Sequence, residues 1–218
     1  METLNLFVVE LEKKINDSIT TDGGLELFID TRFEGSEFKH RITEGPIVCS
    51  PLRHNTGAKK GDTLYFHHLV VLNEGQALTG HKNHYMVQYD PKHTINNQAI
   101  AYKSAKSGHI YSLGGWALLS PVEEGPDPGE QSDLIEVVKL TDSPVRKARV
   151  AFNAPWIEEL GLSVGDVVGI KKNRDYELTI DGNKYFRVRA EDILYVEEEV
   201  HNDWRCRAPY EVDGGCYR

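Results

Sequence analysis

The chain has 218 residues, 39% hydrophobic and 27% charged, a composition that suits one large or two small domains and excludes both a disordered polymer and a repetitive fibre. Its formal net charge of −9 comes from acidic residues spread along the chain rather than massed in a tail, so nucleic acid is not expected as a partner. No apolar run of about 18 residues occurs and Met1 to Glu10 carries acid rather than base, so neither a membrane span nor a secretion signal is expected.

In chain order, short runs rich in β-branched and aromatic residues sit between glycine-rich or polar turns. They predict strands at Leu4 to Val9, Leu25 to Ile29, Pro46 to Cys49, Thr63 to Val71, Tyr85 to Tyr89 and Ile100 to Lys103. Further strands are expected at Trp116 to Leu119, Leu134 to Leu140, Ala148 to Phe152, Asp166 to Ile170, Tyr176 to Ile180, Tyr185 to Val188 and Ile193 to Val196. Helix is expected only over Asn153 to Gly161, where a proline comes early, two glutamates follow and a glycine ends the segment. Many short strands without long alternating helices predict an all-β fold, barrel or sandwich.

Leu113-Gly114-Gly115 marks the clearest boundary. It divides residues 1–113 from a second domain at 114–200, and residues 201–218 lose strand periodicity and read as an irregular tail. Glu123 to Glu130 reads as a long loop within the second half.

The halves share an internal pattern. Lys60-Gly61-Asp62-Thr63-Leu64 and Val164-Gly165-Asp166-Val167-Val168 are both a glycine-aspartate turn leading into an apolar strand. Gly45-Pro46-Ile47-Val48 stands before the first turn as Ala148-Arg149-Val150-Ala151 stands before the second. Opening strands at Leu4 to Val9 and Trp116 to Val122 match, and Gly108 to Leu113 is paired with Glu191 to Val196 as the terminal strand.

Val164-Gly165-Asp166-Val167-Val168 and Ala190-Glu191-Asp192-Ile193-Leu194-Tyr195-Val196 resemble the module of the GroES co-chaperonins, here in a tandem variant. The resemblance implies two small β-barrels, the first with a mobile loop and a roof insertion at Asn73 to Asn97. It further implies a homo-oligomeric ring in the cytoplasm that caps a GroEL-like chaperonin and assists ATP-dependent protein folding, with the ATP handled by the partner.

The family's loop carries a glycine pair followed by a short apolar triplet, which maps the chaperonin-binding loop onto Gly23, Gly24, Leu25, Glu26, Leu27, Phe28 and Ile29. Glu26 departs from that pattern. The alternative for these residues is an ordinary strand with one buried face. A second loop maps onto Leu134, Ile135, Val137 and Val138, without a preceding glycine pair.

Catalysis has no candidate, since neither a nucleophile elbow nor a phosphate loop occurs, and no cofactor is expected. His67-His68, His81 and His84 lack a metal-binding spacing, and on a continuous strand His67 and His68 would point to opposite faces. Cys49, Cys206 and Cys216 make no disulfide framework, and His201, Cys206 and Cys216 in the tail form only a weak zinc pattern, so no metal is expected. The competing function is structural: a β-module of a virion or shell that uses the same fold for symmetric packing.

Overall fold

The computed structural model describes residues 2–21, 23–28, 40–71, 77–92, 96–122, 145–152 and 154–197. The expected strand at Leu134 to Leu140, the loop before it and the C-terminal tail lie outside these residues. The first half contributes β1 (Leu6–Glu10), β2 (Ser18–Thr20), β3 (Glu26–Phe28), β4 (Glu44–Cys49), β5 (Thr63–Phe66), β6 (His84–Gln88), β7 (Ala99–Lys103) and β8 (Ile110–Ser112). The second contributes β9 (Ala117–Pro121), β10 (Val145–Val150), the short helix α1 (Pro155–Glu159), β11 (Val167–Lys171), β12 (Tyr176–Ile180), β13 (Asn183–Val188) and β14 (Ile193–Val196).

These strands form two six-stranded sheets, in the orders β6-β1-β4-β5-β7-β8 and β12-β13-β9-β10-β11-β14, and a separate two-stranded sheet of β2 and β3. Every strand pair is antiparallel. The fold is all-β, as expected. Among the described residues neither six-stranded sheet closes into a barrel, because its two edge strands do not pair.

The two sheets repeat one plan. Five strands follow each other in the same spatial order, β6-β1-β4-β5-β7 against β13-β9-β10-β11-β14. The glycine-aspartate turns match bond for bond. Gly61 N–H donates to Ile47 O and Gly165 N–H to Val150 O, each at 2.9 Å, and both glycines take a left-handed φ, +90° and +103°. The aspartate carboxylate then accepts the backbone N–H three residues upstream, at 2.8 Å from Lys59 to Asp62 and 2.8 Å from Ser163 to Asp166. Even the irregularity recurs, with register shifts at Tyr65/Phe66 and at Gly169/Ile170.

This correspondence corrects two expectations. The terminal strand of the first unit is β7, not Gly108 to Leu113, since β7 pairs with β5 as β14 pairs with β11 and β8 is a sixth strand outside it. Nor is Asn73 to Asn97 an added roof, because β6 lies within it and pairs with β1 over five residues, the place that β13 takes beside β9. A third correction concerns Thr63 to Val71. The strand ends at Phe66 and the chain turns into a 3-10 helix over His68–Val71, where the His67 ring accepts the Leu69 N–H at 3.2 Å.

Strand alternation gives each sheet two apolar faces. Phe7, Val9, Ile47, Leu64, Phe66, Tyr85 and Val87 enclose the first core, and Ala117, Leu119, Val150, Val168, Ile170, Phe186 and Val188 enclose the second. On the opposite faces, Tyr65, Ile100 and Ala101 of the first sheet meet Leu118, Leu178 and Ile180 of the second. This third cluster is the seam that joins the halves.

Asp62 is buried and accepts a second backbone N–H, from Ala105 at 2.9 Å, while Asp166 has one such bond. Removing the carboxylate leaves two part-buried backbone bonds unmade at Asp62 and one exposed bond unmade at Asp166, so Asp62→Ala should cost about 2 kcal/mol and Asp166→Ala about 1 kcal/mol or less. Urea denaturation of the two variants measures both losses.

Candidate functional site

Among the described residues, the excursion between β1 and β4 carries the clearest exposed apolar surface. Its two legs pair at the base, where Ile42 N–H donates to Lys14 O at 2.9 Å and Asn16 N–H to His40 O at 2.6 Å. Beyond the base, β2 and β3 form a hairpin in the register Ser18↔Phe28, Ile19↔Leu27 and Thr20↔Glu26. Thr21 closes the turn. Its N–H donates to Leu25 O at 2.9 Å, its carbonyl accepts from Gly24 N–H at 2.8 Å, and its Oγ1 accepts from Leu25 N–H at 3.2 Å. Gly24 takes φ +78°, which a side chain at that position would resist.

The alternative of a strand with one buried face is not what the structure shows for these residues. Ile19 is 55% exposed, Leu25 62%, Leu27 49% and Phe28 79%. Side chains alternate, so Ile19, Leu25 and Leu27 share one face of the hairpin, whereas Glu26 and Phe28 share the other. The charge of Glu26 therefore does not interrupt the apolar face that contains Leu25 and Leu27. Gly23 and Gly24 form the turn; Ile29, and Leu134, Ile135, Val137 and Val138 of the second loop, lie outside the described residues.

A different cluster spans the seam. Because the chain leaves its strand at Phe66, the His67 and His68 rings lie together, their centroids 4.3 Å apart, instead of on opposite faces. Both stack on Tyr176 of β12, His67 at 4.5 Å and 25°. The Tyr176 hydroxyl lies 2.8 Å from His68 Nδ1. Tyr176 stands opposite Arg187 in the β12–β13 ladder, and the Arg187 guanidinium lies 4.7 Å over the Tyr176 ring and 3.8 Å over Trp116. At the other end of β12, Lys103 of β7 reaches Asp181 of the β12–β13 turn, with both carboxylate oxygens within 2.8 Å.

Burial sets the protonation of this stack. It pushes His67 down to about 3, helped by repulsion from Arg187 and His68, and lowers His68, with repulsion from Arg41 and Arg187. Arg187 is lowered to about 10 by burial and remains a cation at neutral pH. Burial raises Tyr176, so its hydroxyl stays protonated. Both histidines are therefore neutral aromatic surfaces at pH 7, and among the described residues no group of three or more metal-ligating side chains occurs. Cys49 is a free thiol, while His201, Cys206 and Cys216 lie outside the described residues.

Tyr176, Arg187 and Trp116 are absent from the residues singled out by sequence. One signal pointed to them: Asp181-Gly182 is a two-residue hairpin turn, which sets Ile180 opposite Asn183 and hence Tyr176 opposite Arg187. No protein-family model matches the chain, and no curated protein matches it.

The unfolded chain binds a proton at His67 near the ordinary value of 6.5, whereas the folded chain does so only near 3. Acid thus favours unfolding across that interval: the contribution is complete above about pH 6.5 and is lost as pH falls. The midpoint of thermal unfolding should be lower at pH 5 than at pH 7.5, and His67→Gln should flatten that difference.

Proposed function

We propose that this chain is a non-enzymatic binding protein that docks its β2–β3 hairpin onto a chaperonin ring, as a tandem GroES-like co-chaperonin. The observation that carries this reading is the hairpin itself, which holds Ile19, Leu25, Leu27 and Phe28 exposed on a two-stranded sheet outside both six-stranded sheets. A two-stranded hairpin in water is marginal alone, and an exposed apolar face on one is suited to burial against a partner. The tandem repeat agrees with the reading, since the hairpin leaves the first unit between β1 and β4, the position of the mobile loop in the family that the sequence resembles.

Docking would bury side chains worth about 1.5–3 kcal/mol each, offset by the ordering and desolvation of the complex. One hairpin is then a weak ligand, and several presented together on a homo-oligomeric ring would bind tightly. ATP would be bound by the chaperonin, with no cofactor on this chain.

The structural reading, a virion or shell module packed by symmetry, is favoured by a different feature. Strand β14 is a sheet edge with Leu194, Tyr195 and Val196 exposed, a surface suited to pairing between copies.

Capture of a GroEL-type chaperonin by the purified protein, with and without ATP, tests the proposal. Nucleotide-dependent capture is expected, and Leu25→Asp or Leu27→Asp should abolish it with little change in thermal midpoint, both side chains being exposed. Absence of capture in both nucleotide states would remove the co-chaperonin reading. Unfolding of the variants would show that these leucines serve the fold.

A further inference from the structure

The stack at the seam leaves donors without acceptors. Trp116 is only 3% exposed, yet its indole N–H is buried without a hydrogen-bond partner. The Nε–H of Arg187, whose guanidinium lies on the Trp116 ring, is also buried and unpartnered. Among the described residues Arg187 has no carboxylate partner, and its close contacts are the faces of Trp116 and Tyr176. A second guanidinium, Arg189, lies 5.7 Å from the same indole and donates one N–H to Glu191 Oε1 at 3.2 Å, which leaves its other donors for a ligand.

The facing sheet contributes a further donor. His67 Nδ1 accepts the Leu69 N–H, which assigns the ring proton to Nε2. His67 is also close enough to Arg187 to feel its charge. Both residues are half-buried, so each keeps part of its surface at the solvent boundary, while the Arg187 Nε–H itself is buried. A guanidinium is a planar fork of donors matched to carboxylate and phosphate oxygens, and ring faces alone leave that fork unfilled.

We propose that the rim of the seam binds a small oxyanion, a phosphate or carboxylate group, on the Arg187 guanidinium, with Arg189 and the His67 Nε2–H as further donors. The ligand would bridge the sheets, since His67 follows β5 while Arg187 and Arg189 belong to β13 and its end. It would bind only the docked halves and so stabilise them.

The full-length protein is titrated at pH 7.5 with inorganic phosphate, citrate or chloride at matched ionic strength, following the thermal midpoint and the heat of binding. The expected result is a saturable response to phosphate or citrate, but not to chloride, with affinity lowered about tenfold or more in Arg187→Met. Which oxyanion saturates identifies the source of the ligand group. Equal responses in the wild type and variant, or none in the wild type, would overturn the proposal. If Arg187→Met does not fold, the Arg187 Nε–H and Trp116 indole N–H resonances of the wild type are followed instead: saturable movement with either oxyanion supports the site, and indifference to both overturns it.

Discussion

An aspartate carboxylate that catches a backbone N–H three residues upstream governs the geometry of both halves. At Asp62 and at Asp166 this bond closes a turn around a left-handed glycine, and the chain emerges as β5 or β11 with its register already set against β4 or β10. Register decides which side chains face inward, because one step exchanges the faces of a strand. Leu64 and Phe66 therefore enter the first core as Val168 and Ile170 enter the second.

The same alternation explains why the halves are not equivalent on their outer faces. The position held by Tyr65 in β5 is held by Gly169 in β11. Tyr65 is buried in the seam, whereas the Tyr195 ring covers Gly169 so closely that a Cβ there would lie 2.2 Å from it. One unit spends this outer position on contact with its neighbour, and the other closes it with an aromatic ring from the adjacent strand. β8 and β12 extend the two sheets at different edges, one beyond β7 and the other beyond β13.

The hairpin and the seam stack place opposite demands on their residues. Ile19, Leu25, Leu27 and Phe28 are held in water by a short ladder and one glycine turn, with their apolar area unspent. At the seam a cation is held between aromatic faces, and burial, with repulsion from that cation second, keeps the neighbouring imidazoles neutral. The first surface leaves apolar area in water, and the second leaves hydrogen-bond donors without acceptors.

The sequence by itself determined the all-β class, nearly every described strand, the short helix α1 and the repeat centred on Gly61-Asp62 and Gly165-Asp166, because turn chemistry and period-two patterning are local properties. It also identified Gly23 to Phe28 as a glycine turn with apolar residues after it, although an apolar run reads the same whether its face is buried or exposed. Tertiary structure decided that exposure, since it depends on whether another sheet arrives to cover the hairpin. It also decided that β7 rather than β8 completes the first unit, a choice between edge strands that local pattern does not distinguish. The Tyr176–Arg187–Trp116 stack belongs to tertiary structure as well: His67 and Tyr176 stand 109 positions apart in the chain, and only the back-to-back packing of the two sheets brings them into contact.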